Sequence, residues 1–233
     1  MKRLLPIICL LCTALPVWAQ EESEHVSFAY RCLGLGREFR HLELYVGTGG
    51  EGTRQQIHLN DLAKTNSYEY QGLPVIDFYT GATGGLPVAR AKYNPEHDAP
   101  LLLFTKNSEG SAIPYRVLSI EDSWQKQGVG TYQLVNLSSK ALFWKVGEER
   151  FKIESKDLRV IEVDGTNAKT PVIALEVNKD GKPSRVYRAK WHNLENMRRL
   201  IFVRDTNENE VGSVRVSVIE DFYVPEVASV DEN

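Results

Sequence analysis

Two pairs of adjacent carboxylates stand out in this 233-residue chain, Glu121-Asp122 and Glu220-Asp221. Paired carboxylates carry out acid–base catalysis in glycosidases, where one of the two acids is kept protonated. Each pair is predicted to close a β-strand, however, and neighbouring residues of a strand point to opposite faces. The two carboxylates of a pair therefore cannot converge on one bond. We interpret both pairs as duplicated polar ends of strands.

Metal-binding and nucleophilic motifs are not found. No two histidines have the HxH or HExxH spacing of a metal site. The turn around Asp180 resembles the start of a calcium loop, but the twelfth position is Ala189 rather than an acid. No GxSxG motif occurs either. The sequence thus predicts no catalytic residue, no metal ligand and no cofactor. The histidines, interpreted as ordinary surface residues, are His25, His41, His58, His97 and His192.

Three tyrosines form a candidate ligand platform. Tyr68 and Tyr70 alternate on one predicted strand, so their rings share a face, and Tyr79 follows nearby. Exposed rings would stack on sugars or peptides, whereas buried rings would belong to the core. The sequence favours the core interpretation and leaves both open.

The N-terminus has the layout of a secretory signal peptide. Lys2 and Arg3 give a positive start, and an apolar run from Leu4 to Leu15 follows. Val17 and Ala19 stand at positions −3 and −1 of a cleavage site. The run is too short for a membrane-spanning helix. We therefore expect residues 1–19 to be removed and the chain to be exported to the periplasm, the cell surface or the medium, with no integral membrane segment in the mature chain.

Cleavage would leave Cys32 as the single thiol, because Cys9 and Cys12 belong to the signal peptide. One thiol cannot form an internal disulfide, and we predict that Cys32 is a buried apolar residue. The loss of two cations lowers the formal net charge from −3 to −5. A mildly acidic chain does not indicate nucleic acid or an anionic membrane as partner.

The chain repeats itself at a spacing of about one hundred residues, which predicts an internal duplication. Six blocks recur in the same order, with offsets that drift only from 97 to 102. The alignment predicts equivalent surroundings for Ile76 and Ile173, and likewise for Phe104 and Phe202. The blocks are Tyr30–Leu35 with Tyr132–Leu137, Val46-Gly47 with Val146-Gly147, Pro74–Ile76 with Pro171–Ile173, Arg90–Tyr93 with Arg188–Trp191, Leu102–Phe104 with Leu200–Phe202, and Arg116–Asp122 with Arg215–Asp221.

Short apolar runs recur every 8–12 residues with turn residues between them, a pattern typical of β-sandwiches. We predict an all-β chain of two closely packed, immunoglobulin-like β-sandwich units of about seven strands each. The first unit spans 20–127 and the second 128–224, and 225–233 is an acidic, disordered tail. Residues 121–130, at the join, offer no long flexible linker. Whether the units are separate domains or share strands is left open.

One predicted hairpin has a closely similar sequence in both units. Arg188 and Lys190 alternate with Ala189 and Trp191, and Arg90–Tyr93 repeats the pattern. Period two places the cations on one face and the small and aromatic residues on the other. We interpret the cations as solvated and the aromatic residues as core. The alternative is a basic ligand-binding strip.

Several segments resemble secreted, duplicated immunoglobulin-like β-sandwich proteins of verrucomicrobial bacteria. The similarity rests on Ser67–Gly72, Leu101–Phe104, Tyr132–Ser138 and Val146–Glu148. Most such proteins have no assigned activity, and one similar envelope protein is linked to a type IV pilus-like system. The resemblance implies a non-enzymatic role at the cell surface.

Taken together, these features predict a non-catalytic, secreted or cell-envelope module that binds a protein partner or self-assembles, with an association to a pilus-like or surface assembly. The alternative is a carbohydrate-binding or carbohydrate-processing protein that uses the tyrosines and acids of one cleft. A third hypothesis is a chaperone-like protein that donates or accepts a β-strand. Fold alone does not choose among them.

Overall fold

The computed structural model describes residues 25–47, 54–163, 169–178, 180–206 and 210–224. The predicted signal peptide and the acidic tail lie outside these ranges. The described residues form sixteen β-strands and one 3-10 turn, Arg37–Phe39, with no α-helix among them. The all-β prediction is confirmed.

Each half of the chain supplies eight strands. The first unit contains β1 (Val26–Gly34), β2 (Leu42–Gly47), β3 (Arg54–Leu59), β4 (Tyr68–Gly72), β5 (Val75–Tyr79), β6 (Ala89–Lys92), β7 (Pro100–Lys106) and β8 (Tyr115–Glu121). The second contains β9 (Thr131–Asn136), β10 (Leu142–Val146), β11 (Glu149–Ile153), β12 (Leu158–Glu162), β13 (Lys169–Val177), β14 (Pro183–His192), β15 (Met197–Asp205) and β16 (Val214–Phe222).

The strands form four sheets of four strands, and the strand order is the same in both units. The sheets β4-β1-β7-β8 and β12-β9-β15-β16 correspond to each other, as do β3-β2-β5-β6 and β11-β10-β13-β14. Even the parallel pairing of the first strand with the seventh recurs, between β1 and β7 and between β9 and β15. This identity of topology confirms the internal duplication. Each unit has eight strands rather than about seven, and each sheet draws its strands from one unit only.

Three apolar clusters show how the four sheets stack. One cluster lies between the two sheets of the first unit, and another between the two sheets of the second. The third joins the units, because it contains Leu33 and Leu103 from the first unit together with Val135 and Phe202 from the second. We call β4-β1-β7-β8 and β12-β9-β15-β16 the inner sheets, since they face each other across this third cluster, and the remaining two the outer sheets. The predicted close packing of the two units is confirmed.

The central strands β7 and β15 are buried on both faces, which explains their uninterrupted apolar runs. In β7, Leu102 and Phe104 point into the first unit's own core, whereas Leu101 and Leu103 point into the cluster between the units. Strands covered on both sides have no solvent-facing positions and lose the polar alternation of an exposed sheet. The continuous runs are therefore a signature of the contact between units.

The two Pro-Val-Ile segments do not occupy structurally equivalent positions in the two units. Ile76 pairs with Ala91, but Ala189, the counterpart of Ala91, pairs with Val172. Val172 is thus the counterpart of Ile76 and is buried like it, whereas Ile173 lies on the outer face of its sheet. The expectation of equivalent surroundings for Ile76 and Ile173 is wrong, because the literal match is displaced by one residue.

The same displacement occurs in the central strands. Leu103 pairs with Leu33 in the first unit, and Phe202 pairs with Val135 at the same place in the second. Phe104 accordingly packs in the core of the first unit, whereas Phe202 packs between the units. This expectation was also wrong. A one-residue shift along a strand moves a side chain to the opposite face. Alignment by similar residue types therefore placed the two strands one residue out of register.

Local turn and burial predictions agree with the structure elsewhere. Gly147 adopts a φ of 58° at the first position of the two-residue turn between β10 and β11, a conformation that glycine accommodates without strain. In the repeated hairpin, Ala91 and Trp191 are buried and the alternating cations are exposed. Cys32 is fully buried, and burial raises the pKa of its thiol well above the ordinary value. The immunoglobulin-like identity of the units stays a prediction.

Candidate functional site

The three tyrosines of the predicted platform do not share one exposed surface. Tyr68 and Tyr70 do lie on the same face of β4, but that face is turned toward the core of the first unit. Tyr70 is only 4% exposed, and its hydroxyl donates to the backbone oxygen of Leu73. Tyr79 lies on the outer sheet beneath Arg54, whose guanidinium carbon is 3.4 Å from the ring centroid. A binding role for these tyrosines stays a prediction.

The duplicated aspartates converge at the junction of the two units. The Arg198 guanidinium donates from Nη2 to Asp122 Oδ1 at 2.8 Å and to Asp221 Oδ2 at 2.7 Å. Lys64 Nζ bridges the same two carboxylates at 2.9 Å and 2.6 Å. Arg31 Nη2 completes the group at 2.6 Å from Asp122 Oδ2. We call these five side chains the junction cluster.

Arg198 also fixes the segment that joins the units. Its Nη1 donates to the backbone oxygens of Ser123 and Gln127 at 3.1 Å and 3.0 Å. Its guanidinium carbon lies 3.9 Å from the Trp124 ring centroid, a distance at which cation–π attraction adds to the hydrogen bonds. The linker is therefore folded around a buried cation, which explains why the join needs no flexible spacer.

The glutamates beside these aspartates point elsewhere, as the strand geometry predicts. Glu121 accepts hydrogen bonds from the backbone N–H groups of Asp98, Ala99 and Ser123. Burial opposes its ionisation, but these bonds outweigh that effect and lower the pKa of Glu121 to about 2. Glu220 instead accepts a hydrogen bond from Arg199 at 2.7 Å. Neither adjacent pair forms a two-carboxylate catalytic site.

Arg199 is a second fully buried arginine, and the burial of neither arginine was predicted from the sequence. Its Nη1 donates to the Tyr132 hydroxyl at 2.7 Å, and its Nη2 donates to the backbone oxygen of His192 at 2.6 Å. The two arginines occupy the start of β15, opposite the duplicated Glu220-Asp221 pair. In the sequence, two cations stand at the start of an apolar strand, and two carboxylates stand at the end of the strand that follows. In an antiparallel hairpin this pattern indicates buried ion pairs. The charges of both arginines are engaged with protein partners, so we assign them to the structure of the junction.

Metal-binding clusters and membrane-spanning helices are both absent from the described residues. Across these ranges, His, Cys, Asp and Glu side chains do not assemble in groups of three that could hold a metal ion. In the same part of the chain, helices long and apolar enough to cross a membrane are absent.

A distinctive surface lies on the outer face of the second unit's outer sheet, β11-β10-β13-β14. Three apolar side chains, Phe143, Ile173 and Leu175, line a groove of about 460 Å³ there. Six cations surround them, and we call this surface, apolar centre and cations together, the basic face. The cations are Lys145, Arg150, Lys152, Arg185, Arg188 and Lys190.

Strand register places the cations on both sides of the apolar centre. Directly opposed residues in antiparallel strands share a face of the sheet. One row across the sheet reads Lys152, Phe143, Leu175 and Arg185, and the next reads Arg150, Lys145, Ile173 and Arg188. The edge strands β11 and β14 thus each carry a bank of cations, and the strands between them carry the apolar centre together with Lys145.

On the corresponding face of the first unit, one of the cations is neutralised by an acid. Arg90, the counterpart of Arg188, forms a two-point ion pair with Asp77 at 2.6 Å and 3.1 Å. Asp77 pairs with Arg90 in the register in which Ile173 pairs with Arg188. The exchange of an acid for an isoleucine leaves Arg188 without that partner and adds apolar surface. The two copies therefore differ at this structural position, and the isoleucine of the second unit contributes to the apolar centre of the basic face.

Two of the six cations have acidic neighbours on the rim. Lys152 Nζ lies 2.6 Å from a Glu154 carboxylate oxygen, and Lys145 Nζ lies 3.6 Å from one of Glu148. Both carboxylates are largely exposed, so these contacts are weak. Within the described ranges the remaining four cations have no carboxylate at ion-pairing distance; they are Arg150, Arg185, Arg188 and Lys190.

Comparison with known proteins adds no family: no protein-family model and no curated protein matches the chain. The basic face is therefore the candidate functional site on physical grounds alone. It combines a recess, exposed apolar side chains and uncompensated positive charge, and apolar surface rimmed by polar residues is typical of interaction sites.

Proposed function

We propose that this chain is a non-catalytic binding module of the cell envelope or the secreted fraction, and that it holds a protein partner on the basic face. The observation that carries this proposal is the divergence between the two units. In the first unit's outer sheet Asp77 neutralises Arg90, whereas in the second unit Ile173 stands at that position and leaves Arg188 exposed beside Phe143 and Leu175. A surface specialised in only one of two copies is what a binding site acquired after duplication would produce.

The physical character of the face supports a protein partner. Phe143 is 41% exposed beside Leu175 and Ile173, so a partner would remove apolar surface from water. Interfaces are enriched in aromatic residues and arginine, both of which occur here. The carbohydrate alternative has less support, because the three tyrosines on which it rests are not together at the surface.

Export is part of the same proposal. The signal-peptide pattern of residues 1–19 and the resemblance to secreted verrucomicrobial proteins support a location in the periplasm, at the cell surface or in the medium. An association with a pilus-like assembly follows from that resemblance alone. Intact-mass measurement of the protein recovered from producing cells tests export, with a mature N-terminus at Gln20 as the expected result. An uncleaved N-terminus in protein recovered only from the cytoplasm would contradict it.

Site-specific photo-crosslinking in the producing cells tests the binding surface. A photoreactive phenylalanine analogue replaces Phe143 in one variant and Tyr45, on β2 of the first unit's outer sheet, in the matched control. We expect a discrete crosslinked protein from position 143 and none from position 45. Equal crosslinking from both positions, or none from position 143 in correctly folded protein, would remove the basic face from the proposal.

A further inference from the structure

We infer that the partner presents an extended acidic segment in which an apolar side chain stands between two acidic ones, and that this segment lies across the groove of the basic face. This inference rests on the proposed function and specifies the chemistry of the partner. Nothing in the composition of the chain as a whole pointed to an anionic ligand, since its formal net charge is −3. The charge that selects the ligand is local.

Charge complementarity gives the first constraint. Four exposed cations of the basic face have no carboxylate partner among the described residues, and they stand on both sides of the groove. Arg150 lies on the β11 side, and Arg185, Arg188 and Lys190 lie on the β14 side. A ligand with a single acidic end would satisfy only one bank. The arrangement therefore favours a ligand with acidic groups on both sides of an apolar one.

Distance gives the second constraint. Strands in a sheet lie about 4.8 Å apart, so the two banks, three strand spacings apart, are separated by about 14 Å. In an extended peptide, side chains on one face recur every second residue, and residues i and i+4 are about 13 Å apart. Acidic residues at i and i+4 would meet the two banks, and the side chain at i+2 would enter the groove above Phe143 and Leu175. The spacing of the cations thus matches an extended polypeptide.

The concave shape of the site favours a polypeptide over a membrane. Ile173 and Leu175 are partly buried, and the apolar centre lies in a recess of about 460 Å³ rather than at the tip of a protruding loop. A bilayer surface is flat and cannot enter such a recess, whereas the side chains of an extended peptide can. A uniformly charged polyanion would satisfy the cations but leave the apolar centre unused.

Fluorescence anisotropy with short synthetic peptides tests the inference on the chain that begins at Gln20. The probe is a fluorescein-labelled peptide, Gly-Glu-Ser-Leu-Ser-Glu-Gly. One comparison peptide replaces both glutamates with lysine, and another replaces the leucine with serine. We expect saturable binding of the probe and binding at least about tenfold weaker for each comparison peptide. Binding to heparin tests a polyanion as the ligand, and binding to phosphatidylglycerol vesicles tests a membrane surface.

The duplication offers a matched pair of variants. Lys190→Glu reverses a charge on the basic face, and Lys92→Glu makes the same change at the equivalent exposed position of the first unit. We expect Lys190→Glu to weaken probe binding about tenfold and Lys92→Glu to leave it within about twofold. Phe143→Ser should weaken binding of the leucine peptide while leaving the serine peptide unchanged. Circular dichroism of each variant verifies that it is folded.

Each outcome decides the inference. Selective binding of the probe, lost in Lys190→Glu but not in Lys92→Glu, supports it. Equal binding of the serine peptide, tight binding to heparin alone, or binding to vesicles in place of the probe would overturn it. If the probe does not bind but position 143 still crosslinks one protein in cells, the acidic-segment inference fails and the proposed function stands.

Discussion

Asp122 and Asp221, ninety-nine residues apart and equivalent by duplication, bind the same guanidinium, that of Arg198. Although burial disfavours the charged form, the ion pairs with Lys64 and Arg198 lower the pKa of Asp221 below its ordinary value. Each unit therefore contributes one carboxylate to a shared set of cations. The contact fixes the relative position of the two sandwiches and of the linker between them.

Replacement of Arg198 by methionine should destabilise the protein by about 3–5 kcal/mol, because it leaves the buried Asp122 with fewer compensating charges. Urea unfolding followed by circular dichroism measures the change. Arg90→Met provides the control: Arg90 and Asp77 form a more exposed ion pair, for which we expect a much smaller loss. A loss for Arg198→Met no larger than that of the control would show that the junction cluster does not hold the units together.

Truncation of Phe202 to alanine should lower the free energy of unfolding by about 3–5 kcal/mol. The ring is buried between the units, and its removal leaves a cavity there. Because this cluster belongs to both units, we expect a single unfolding transition before and after the change. In the chain that begins at Gln20 the tryptophans are Trp124, Trp144 and Trp191, so fluorescence reports the linker and the second unit, whereas circular dichroism reports both units. Separate midpoints by the two methods in the unmodified protein would contradict close coupling. The control Leu86→Ala changes an exposed side chain and should stay within about 0.5 kcal/mol.

Acid stability should depend on Glu121. Its pKa is lowered from the ordinary 4.5 to about 2, so its contribution is fully present above about pH 4.5 and is lost as the pH falls toward 2. Glu121→Gln should therefore be less stable than the unmodified protein at pH 6 by roughly 2 kcal/mol, after allowance for solvent screening of a partly exposed group. The difference should shrink toward pH 2. Unfolding free energies measured at several pH values would reveal a constant difference if this view of Glu121 were wrong.

The thiol of Cys32 should be unreactive in the folded protein. It is fully buried, and burial keeps it protonated by raising its pKa. In the chain that begins at Gln20 it is the only cysteine, so a colorimetric disulfide reagent reports it directly. We expect modification to be slower by at least about 10³-fold in buffer than in denaturant, because the reaction must wait for opening of the core. Rapid modification under native conditions would contradict the burial.

Local patterns predicted local structure well. The alternation in Arg188–Trp191 placed cations outside and the tryptophan inside, and Gly147 marked a tight hairpin turn. Long-range register was predicted less well, since the matching letters around Ile173 and Phe202 are displaced by one residue from the structural equivalence. A one-residue shift hardly changes the sequence similarity between the copies. In a strand, however, it moves every side chain to the opposite face of the sheet.

The candidate site was the least predictable part. Arg188 and Lys190 were identified as a basic pair, with a ligand-binding strip as the alternative, but Lys145, Arg150 and Lys152 lie on other strands of the sheet. Only strand pairing places these cations beside Phe143. The buried Arg198 and Arg199 were missed for the same reason, because their partners are provided by distant segments.

The sequence by itself determined the all-β fold, the duplication and the burial of Cys32, because these follow from periodicities and repeats that are local to the chain. Tertiary structure alone decided that the units share an apolar cluster, that Asp122 and Asp221 meet at Arg198, and that six cations surround one groove. The physical reason is that charge and burial are set by neighbours in space. In a β-sheet those neighbours come from strands whose pairing and register the one-dimensional pattern does not specify.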